Sequence, residues 1–201
     1  MPAGLPALLL ASLLVELTPG PNMAWLAIVA GAEGVRVGLA AVAGVALGLA
    51  LAGAAAALGL AALVAASPAL YEALRWGGAA YLLWLAWDGW RGAAETAPPL
   101  PGRQARRAFR RGLVTNLLNP KAGVFFVAVL PGFVDPGAPV LGQTLWLTAG
   151  YVLVATAVHA GIVLLAGQAR RLLLDPARER RARRALSVAL ALVALWLLWR
   201  G

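Results

Sequence analysis

Long apolar runs, separated by short basic segments, make up most of the chain and predict membrane-spanning helices. One such run, residues 37–66, has 30 residues and no charged side chain, whereas about 20 apolar residues suffice to cross a bilayer. The pattern predicts an all-α integral membrane protein with six transmembrane helices in one transporter domain that covers residues 1–201. The helices are predicted at about 3–31, 37–66, 69–90, 112–134, 140–169 and 185–199.

Two of the six predicted helices are interrupted by proline and polar residues. The first break is Thr18-Pro19-Gly20-Pro21-Asn22, and the second spans residues 116–121, with Pro120 inside it. Proline lacks a backbone donor and disfavours helical geometry in the residue before it. In a bilayer, irregular backbone is tolerated where protein covers it or where it lines a wet cavity. Because each break opens a set of three helices, we predict a 3+3 inverted repeat with broken helices 1 and 4.

The distribution of basic residues predicts how the chain is oriented. The segments after predicted helices 1, 3 and 5 hold 14 Lys and Arg side chains, and the opposite side holds two. Cytoplasmic loops carry such an excess. We therefore expect the basic loops 91–111 and 170–184 in the cytoplasm and both termini outside.

Composition excludes several other classes of protein. The chain is 62% apolar and 12% charged, about half the charge of a soluble domain. Its net charge of +9 is concentrated at the ends of apolar runs, which argues against nucleic acid as a partner. It has no cysteine and a single histidine, His159, so we expect no metal site, no cofactor and no enzymatic activity. Residues 1–17 lack the features of a signal peptide, and we assign them to the first helix.

Seven segments of the chain, taken in order, resemble the lysine exporter family, which includes the homoserine and threonine resistance exporters. The similarity extends from about residue 10 to residue 160. The segments are 17–22 (LTPGPN), 38–40 (GLA), 44–48 (GVALG), 78–85 (GAAYLLWL), 116–121 (NLLNPK), 125–126 (FF) and 133–136 (FVDP).

The resemblance implies a multi-pass protein of the bacterial inner membrane that exports amino acids or related small metabolites. It also implies coupling to the proton gradient, as in an antiporter. The family's proline motif corresponds to Pro19, Gly20, Pro21 and Asn22, and its second motif to residues 119–121. A passive channel for small solutes and a membrane assembly factor are the alternative functions.

Broken helices suit the binding of an amino acid. One half-helix exposes amides that attract an anion, and the other exposes carbonyls that attract a cation. A zwitterionic amino acid carries both charges. The candidate substrate-binding residues are Glu16, Pro19, Gly20, Pro21, Asn22, Asn116, Asn119, Pro120 and Lys121.

Several of these residues have a structural alternative. Glu16 and Lys121 either bind substrate or pair with each other, and Glu16 is also a candidate for proton coupling. Asn22 either caps a helix that starts at Met23 or donates to substrate. His159 is either a proton relay or a hydrogen-bonded structural residue. The small-residue face of the second helix packs within one chain or between the two chains of a homodimer.

Overall fold

The computed structural model describes residues 5–18, 20–59, 67–92, 103–135 and 137–170, together with eight separate residues between 181 and 195. These residues are helical or lie in short connections, and no strand occurs among them, which confirms the all-α prediction. The helices are α1 (Leu5–Leu17), α2 (Pro21–Glu33), α3 (Val35–Ala57), α4 (Pro68–Gly92), α5 (Arg103–Leu117), α6 (Pro120–Val124) and α7 (Val140–Arg170). After α6 the chain continues through a π-helical segment, Phe125–Val129, and a 3-10 turn, Leu130–Phe133.

Both predicted breaks are present. The angle between α1 and α2 is 62°, and the angle between α5 and the segment Lys121–Phe133, which includes most of α6, is 51°. Each second half-helix begins with a proline, Pro21 in α2 and Pro120 in α6. Proline suits a first helical position because the amide it lacks has no partner there within the helix. Pro19 lies outside the described residues.

The number of membrane spans is confirmed only in part. Among the described residues, α3 and α7 are each long and apolar enough to cross a membrane, and four spans result when each bent pair counts as one. Helix α4 has 25 residues but is less apolar than α3. Most of the predicted sixth helix, 185–199, lies outside the described residues. Six spans in a 3+3 arrangement therefore stay a prediction.

The predicted basic loop 91–111 is wrong at both ends. Helix α4 continues to Gly92, and α5 begins at Arg103, so the segment 103–111 is helical. The arginines in it recur at helical spacing and form one side of α5, opposite the buried Ala108 and Gly112. Helices were predicted from uncharged apolar runs in the sequence. The start of α5 was missed because the arginines interrupt any such run there. We call this side the arginine face: Arg103, Arg106, Arg107, Arg110 and Arg111.

Two other helix boundaries also differ from the prediction. The polar turn expected around Glu33 and Arg36 consists of a single residue, Gly34, whose φ of 96° suits glycine. Helix α3 starts two residues earlier than expected and ends at Ala57, where a turn follows with Gly59 at a φ of 83°.

Helix α3 lies at the centre of the fold, packed against α2, α5 and α7. Its small residues permit close approach to α5: a Cβ on Gly44 would overlap the carbonyl oxygen of Phe109, and a Cβ on Gly48 would lie 2.9 Å from Asn116 Nδ2. Gly112 of α5 approaches the α3 backbone in the same way. The small-residue face of the second predicted helix therefore serves packing within one chain.

We expect Gly44→Ala to destabilise the protein by about 1–3 kcal/mol, because the added methyl group forces α3 and α5 apart. Thermal unfolding of the purified protein in detergent measures the effect. The matched control is Gly142→Ala on α7, where no described atom lies within 4 Å of the added carbon. Equal melting temperatures for the two variants would show that the α3 and α5 contact tolerates a methyl group.

Candidate functional site

The two breaks lie against each other. Asn22, in the first turn of α2, donates from Nδ2 to Asn116 Oδ1 at 2.9 Å. Lys121, in α6, donates from Nζ to the backbone carbonyl of Thr18 at 2.9 Å. Each break thus contributes one donor and one acceptor to the contact. Segments that are about 100 residues apart in sequence form one polar cluster, in which Asn22 and Asn116 are buried while Thr18 and Lys121 reach the surface.

The local backbone at each break explains which groups point into the cluster. Asn119 has an extended backbone, and its Oδ1 accepts from the Lys121 amide at 3.1 Å, which caps α6. Gly20 precedes α2 and provides no side-chain cap. It also leaves room for the lysine, since a Cβ at Gly20 would lie 3.3 Å from Lys121 Cδ.

The prediction that Asn22 caps a helix starting at Met23 is wrong. Helix α2 begins two residues earlier, at Pro21, and Gly20 occupies the capping position. Asn22 is therefore inside the first turn, and its side chain is directed to Asn116 in the other break. Its amide group is only 2.9 Å from that partner, so the residue joins the two breaks.

Glu16, in the last turn of α1, is the charged centre of the cluster and is only 3% exposed. Tyr151 donates from its hydroxyl to Glu16 Oε1 at 2.7 Å. His159 Nε2 lies 3.2 Å from Glu16 Oε2, and Lys121 Nζ lies 3.8 Å from the same oxygen. Glu16 and Lys121 thus form a loose ion pair, while the shorter contacts of Glu16 are to α7.

An aromatic group supports the tyrosine. The ring of Phe125 stacks on Tyr151 with 3.6 Å between centroids, and Phe126 meets the same ring edge-on at 5.6 Å. Both phenylalanines belong to the π-helical segment after α6, and such segments are frequent at functional sites. The stack orients the Tyr151 hydroxyl toward Glu16.

Tyr151 is the functional candidate that the sequence analysis missed. Tyr151 lies eight residues, or about two helical turns, before His159. This spacing places both side chains on the same side of α7. Every fourth residue along that side is buried: Leu147, Tyr151, Ala155, His159 and Val163 are at most 2% exposed. The signal was available, because a tyrosine in step with the lone histidine of an apolar helix could be recognised from the sequence.

Several buried polar atoms of the cluster and its surroundings have no hydrogen-bond partner among the described residues. Two belong to the amide pair, Asn22 Oδ1 and Asn116 Nδ2, and one is His159 Nδ1. An unpaired buried polar atom costs about 1–3 kcal/mol. The cluster therefore has one acceptor and one donor in the amide pair that a small polar ligand can engage.

The structure brings most of the candidate residues together. Pro21 and Pro120 start the two half-helices beside the cluster, and only Pro19 lies outside the described residues. The candidates within the cluster are Glu16, Gly20, Asn22, Asn116, Asn119, Lys121 and His159.

Comparison with known proteins identifies the family. The profile described as LysE type translocator matches residues 13–201. The chain belongs to the LysE type translocator family. The resemblance inferred from the seven sequence segments is thereby confirmed, and with it the prediction of a membrane transport protein that is not an enzyme. No solved structure matches the chain at a significant level.

Relatives of this LysE-type chain are named as efflux proteins. It is 37% identical to the homoserine/homoserine lactone efflux protein of Salmonella typhimurium over 162 residues, which cover 80% of this chain and 79% of the relative. It is 30% identical to the leucine efflux protein of Salmonella choleraesuis, over 79% of this chain and 76% of the relative. An uncharacterized membrane protein of Pseudomonas aeruginosa is 34% identical over 76% of this chain and 74% of its own length.

We expect cysteines introduced at Asn22 and Asn116 to form a cross-link with a short thiol reagent, because their side chains are within hydrogen-bond distance. The chain contains no other cysteine. To detect the cross-link, a protease site is inserted at residue 97 and cleaved. The two halves then run separately on a denaturing gel unless the cross-link joins them.

The matched control pairs Asn22→Cys with Leu117→Cys, which lies next to Asn116 but is 45% exposed. The control pair should separate after proteolysis. If both pairs behave alike, the two breaks are not in contact in the membrane.

Proposed function

We propose that the chain exports amino acids or related small metabolites across the bacterial inner membrane in exchange for protons. The observation that carries the proposal is the direct contact of the two breaks, through Asn22 with Asn116 and Lys121 with Thr18. A shared polar cluster between two broken helices is the arrangement in which transporters bind small solutes. The names of the relatives support amino acids as the substrate class.

In this proposal the substrate ammonium replaces the ammonium of Lys121. Lys121 Nζ lies between the Thr18 carbonyl, at 2.9 Å, and Glu16 Oε2, at 3.8 Å. These two acceptors would take two of the three N–H donors of a substrate ammonium. The Thr18 carbonyl is accessible because the helix is interrupted there. When substrate occupies that position, Lys121 turns to bind its carboxylate, together with the amides at the start of α2.

Proton coupling in this proposal acts through Glu16. A protonated Glu16 has no charge with which to hold an ammonium group, so proton binding favours release of the substrate. His159, at 3.2 Å, is the group from which or to which the proton moves. Tyr151 donates to the opposite carboxylate oxygen and keeps it oriented. One carboxylate that takes either a proton or an ammonium gives exchange with a fixed stoichiometry.

The burial of the cluster supports a transporter over a passive channel. Glu16, Asn22 and Asn116 are 3%, 4% and 1% exposed. Thr18 and Lys121 form the exposed edge of the cluster, so a substrate that enters there reaches the three buried groups only when neighbouring segments move, as alternating access requires. The half-helices adjoining the breaks are the segments whose movement opens the cluster.

The basic residues support a proposed orientation of the chain in the membrane. In the proposed topology the arginine-rich segments 91–111 and 170–184 face the cytoplasm, and both termini lie outside. A cysteine at Ala97 tests this, since the chain has no other thiol. We expect a membrane-impermeant thiol reagent to label it in inverted vesicles and not in intact cells. Labelling in intact cells would show that the orientation is the reverse of the one proposed.

Transport by the purified protein tests the proposed activity. Proteoliposomes with a proton gradient should accumulate labelled homoserine or leucine against its concentration gradient, and a protonophore should abolish the accumulation. A channel would equilibrate the same solute without accumulation and without sensitivity to the protonophore.

Variants of the cluster test which residues carry the activity. We expect Lys121→Ala to abolish transport with normal insertion, and Lys121→Arg to restore little of it, because guanidinium and ammonium differ in geometry. The control is Arg103→Ala, which removes a charge outside the cluster.

We expect Tyr151→Phe, which keeps the ring stack, to reduce the transport rate by roughly 10- to 100-fold, as loss of a hydrogen bond to a charged group predicts. Unchanged transport by both Lys121→Ala and Tyr151→Phe would remove the cluster from the mechanism.

A further inference from the structure

A second polar site lies away from the breaks, between α4 and α5. Here a cleft of about 560 Å³ is bounded by the arginine face of α5 and by Tyr81 and Trp84 of α4. Val114, one turn beyond Arg111 along α5, completes the lining. No acidic side chain is among the described residues that line it. Five arginine side chains of α5 therefore lie beside two aromatic side chains of α4, the aromatic wall of this cleft.

We propose that this cleft binds the phosphate headgroup of an anionic phospholipid. A guanidinium group presents a planar fork of donors that matches phosphate oxygens. Arg103, Arg106 and Arg110 present three such groups on one side of the cleft, which favours an anion over a zwitterionic headgroup. Basic pockets between membrane helices on the cytoplasmic side bind headgroups of this kind.

The position of the cleft along α5 fits the depth of the headgroups. This step rests on the proposed function, because transporters bind their substrates near the middle of the bilayer, which would place the two breaks there. Arg111 precedes Asn119 by eight residues, which corresponds to about 12 Å along a helix. Half of the hydrocarbon core is about 15 Å. Arg111 is thus close to the edge of the hydrocarbon, and the rest of the arginine face, earlier in α5, lies at headgroup level.

The aromatic wall favours a lipid over a soluble phosphate compound. The Arg111 guanidinium lies 5.0 Å from the centre of the Trp84 ring, and the rings of Tyr81 and Trp84 stack at 5.4 Å. Trp84 is 47% exposed and Val114 is 36% exposed. The cleft therefore has a cationic end and an apolar end, in the order that a phosphate group and its acyl chains require.

Thermal unfolding in a neutral detergent tests the proposal. We expect phosphatidylglycerol to raise the melting temperature in a saturable way, and phosphatidylcholine and inorganic phosphate to have little effect. The triple variant Arg103→Gln, Arg106→Gln, Arg110→Gln should weaken phosphatidylglycerol binding at least about fivefold. A control of equal charge change, Arg180→Gln, Arg181→Gln, Arg183→Gln, should keep it.

Two results overturn the assignment. An equal loss of binding in the control variant would mean that total charge, and not the cleft, attracts the lipid. An equal stabilisation by inorganic phosphate would mean that the cleft is an anion site without a lipid.

A second measurement does not depend on the arginine variants being folded. A single cysteine at Val114 carries a fluorophore at the apolar end of the cleft. In bilayers, phosphatidylglycerol with brominated acyl chains should quench it more strongly than brominated phosphatidylcholine. The same fluorophore at Leu153, which is 70% exposed on α7, should be quenched equally by both lipids. Equal quenching at Val114 as well would contradict a lipid site in the cleft.

Discussion

The buried carboxylate of Glu16 is the constraint on which the arrangement of the site depends. An ionised group inside an apolar bundle is strongly unfavourable unless other groups compensate its charge. Here the compensation comes from two other elements: Tyr151 and His159 on α7, and Lys121 on α6. Packing of α1 into the bundle therefore depends on contacts with α6 and α7. The charge of Glu16 determines where these three helices meet.

The break after α1 is part of the same compensation. In a continuous helix, the carbonyl of Thr18 would accept from the amide four residues later. Because the helix stops there, this carbonyl accepts from Lys121 instead. The lysine is then held by one backbone carbonyl and one carboxylate. The interruption of the helix at Thr18 and the ion pair of Glu16 with Lys121 thus belong to one connected set of contacts.

Much of this could be predicted from the sequence, because prolines and charges inside apolar runs are visible without a structure. The two breaks and the membership of Glu16, Asn22 and Lys121 in one site depended on such local signals. The hydrogen bond from Tyr151 to Glu16 could not be predicted from local signals. It joins positions 135 residues apart and depends on how α1 and α7 pack. The start of α5 at Arg103 was missed for another reason: its helical period is carried by arginines, and uncharged runs do not contain them.

The single-residue connection between α2 and α3 determines which parts of the molecule can move separately. One residue spans at most about 3.6 Å, so Gly34 allows α2 and α3 to pivot but hardly to slide apart. Helix α3 is in turn interlocked with α5 at Gly44 and Gly112. The short connection and the glycine contacts therefore restrict how α2, α3 and α5 can move relative to one another. In the proposed mechanism, opening of the cluster therefore involves a change in the angle between α1 and α2, which is 62° in this structure.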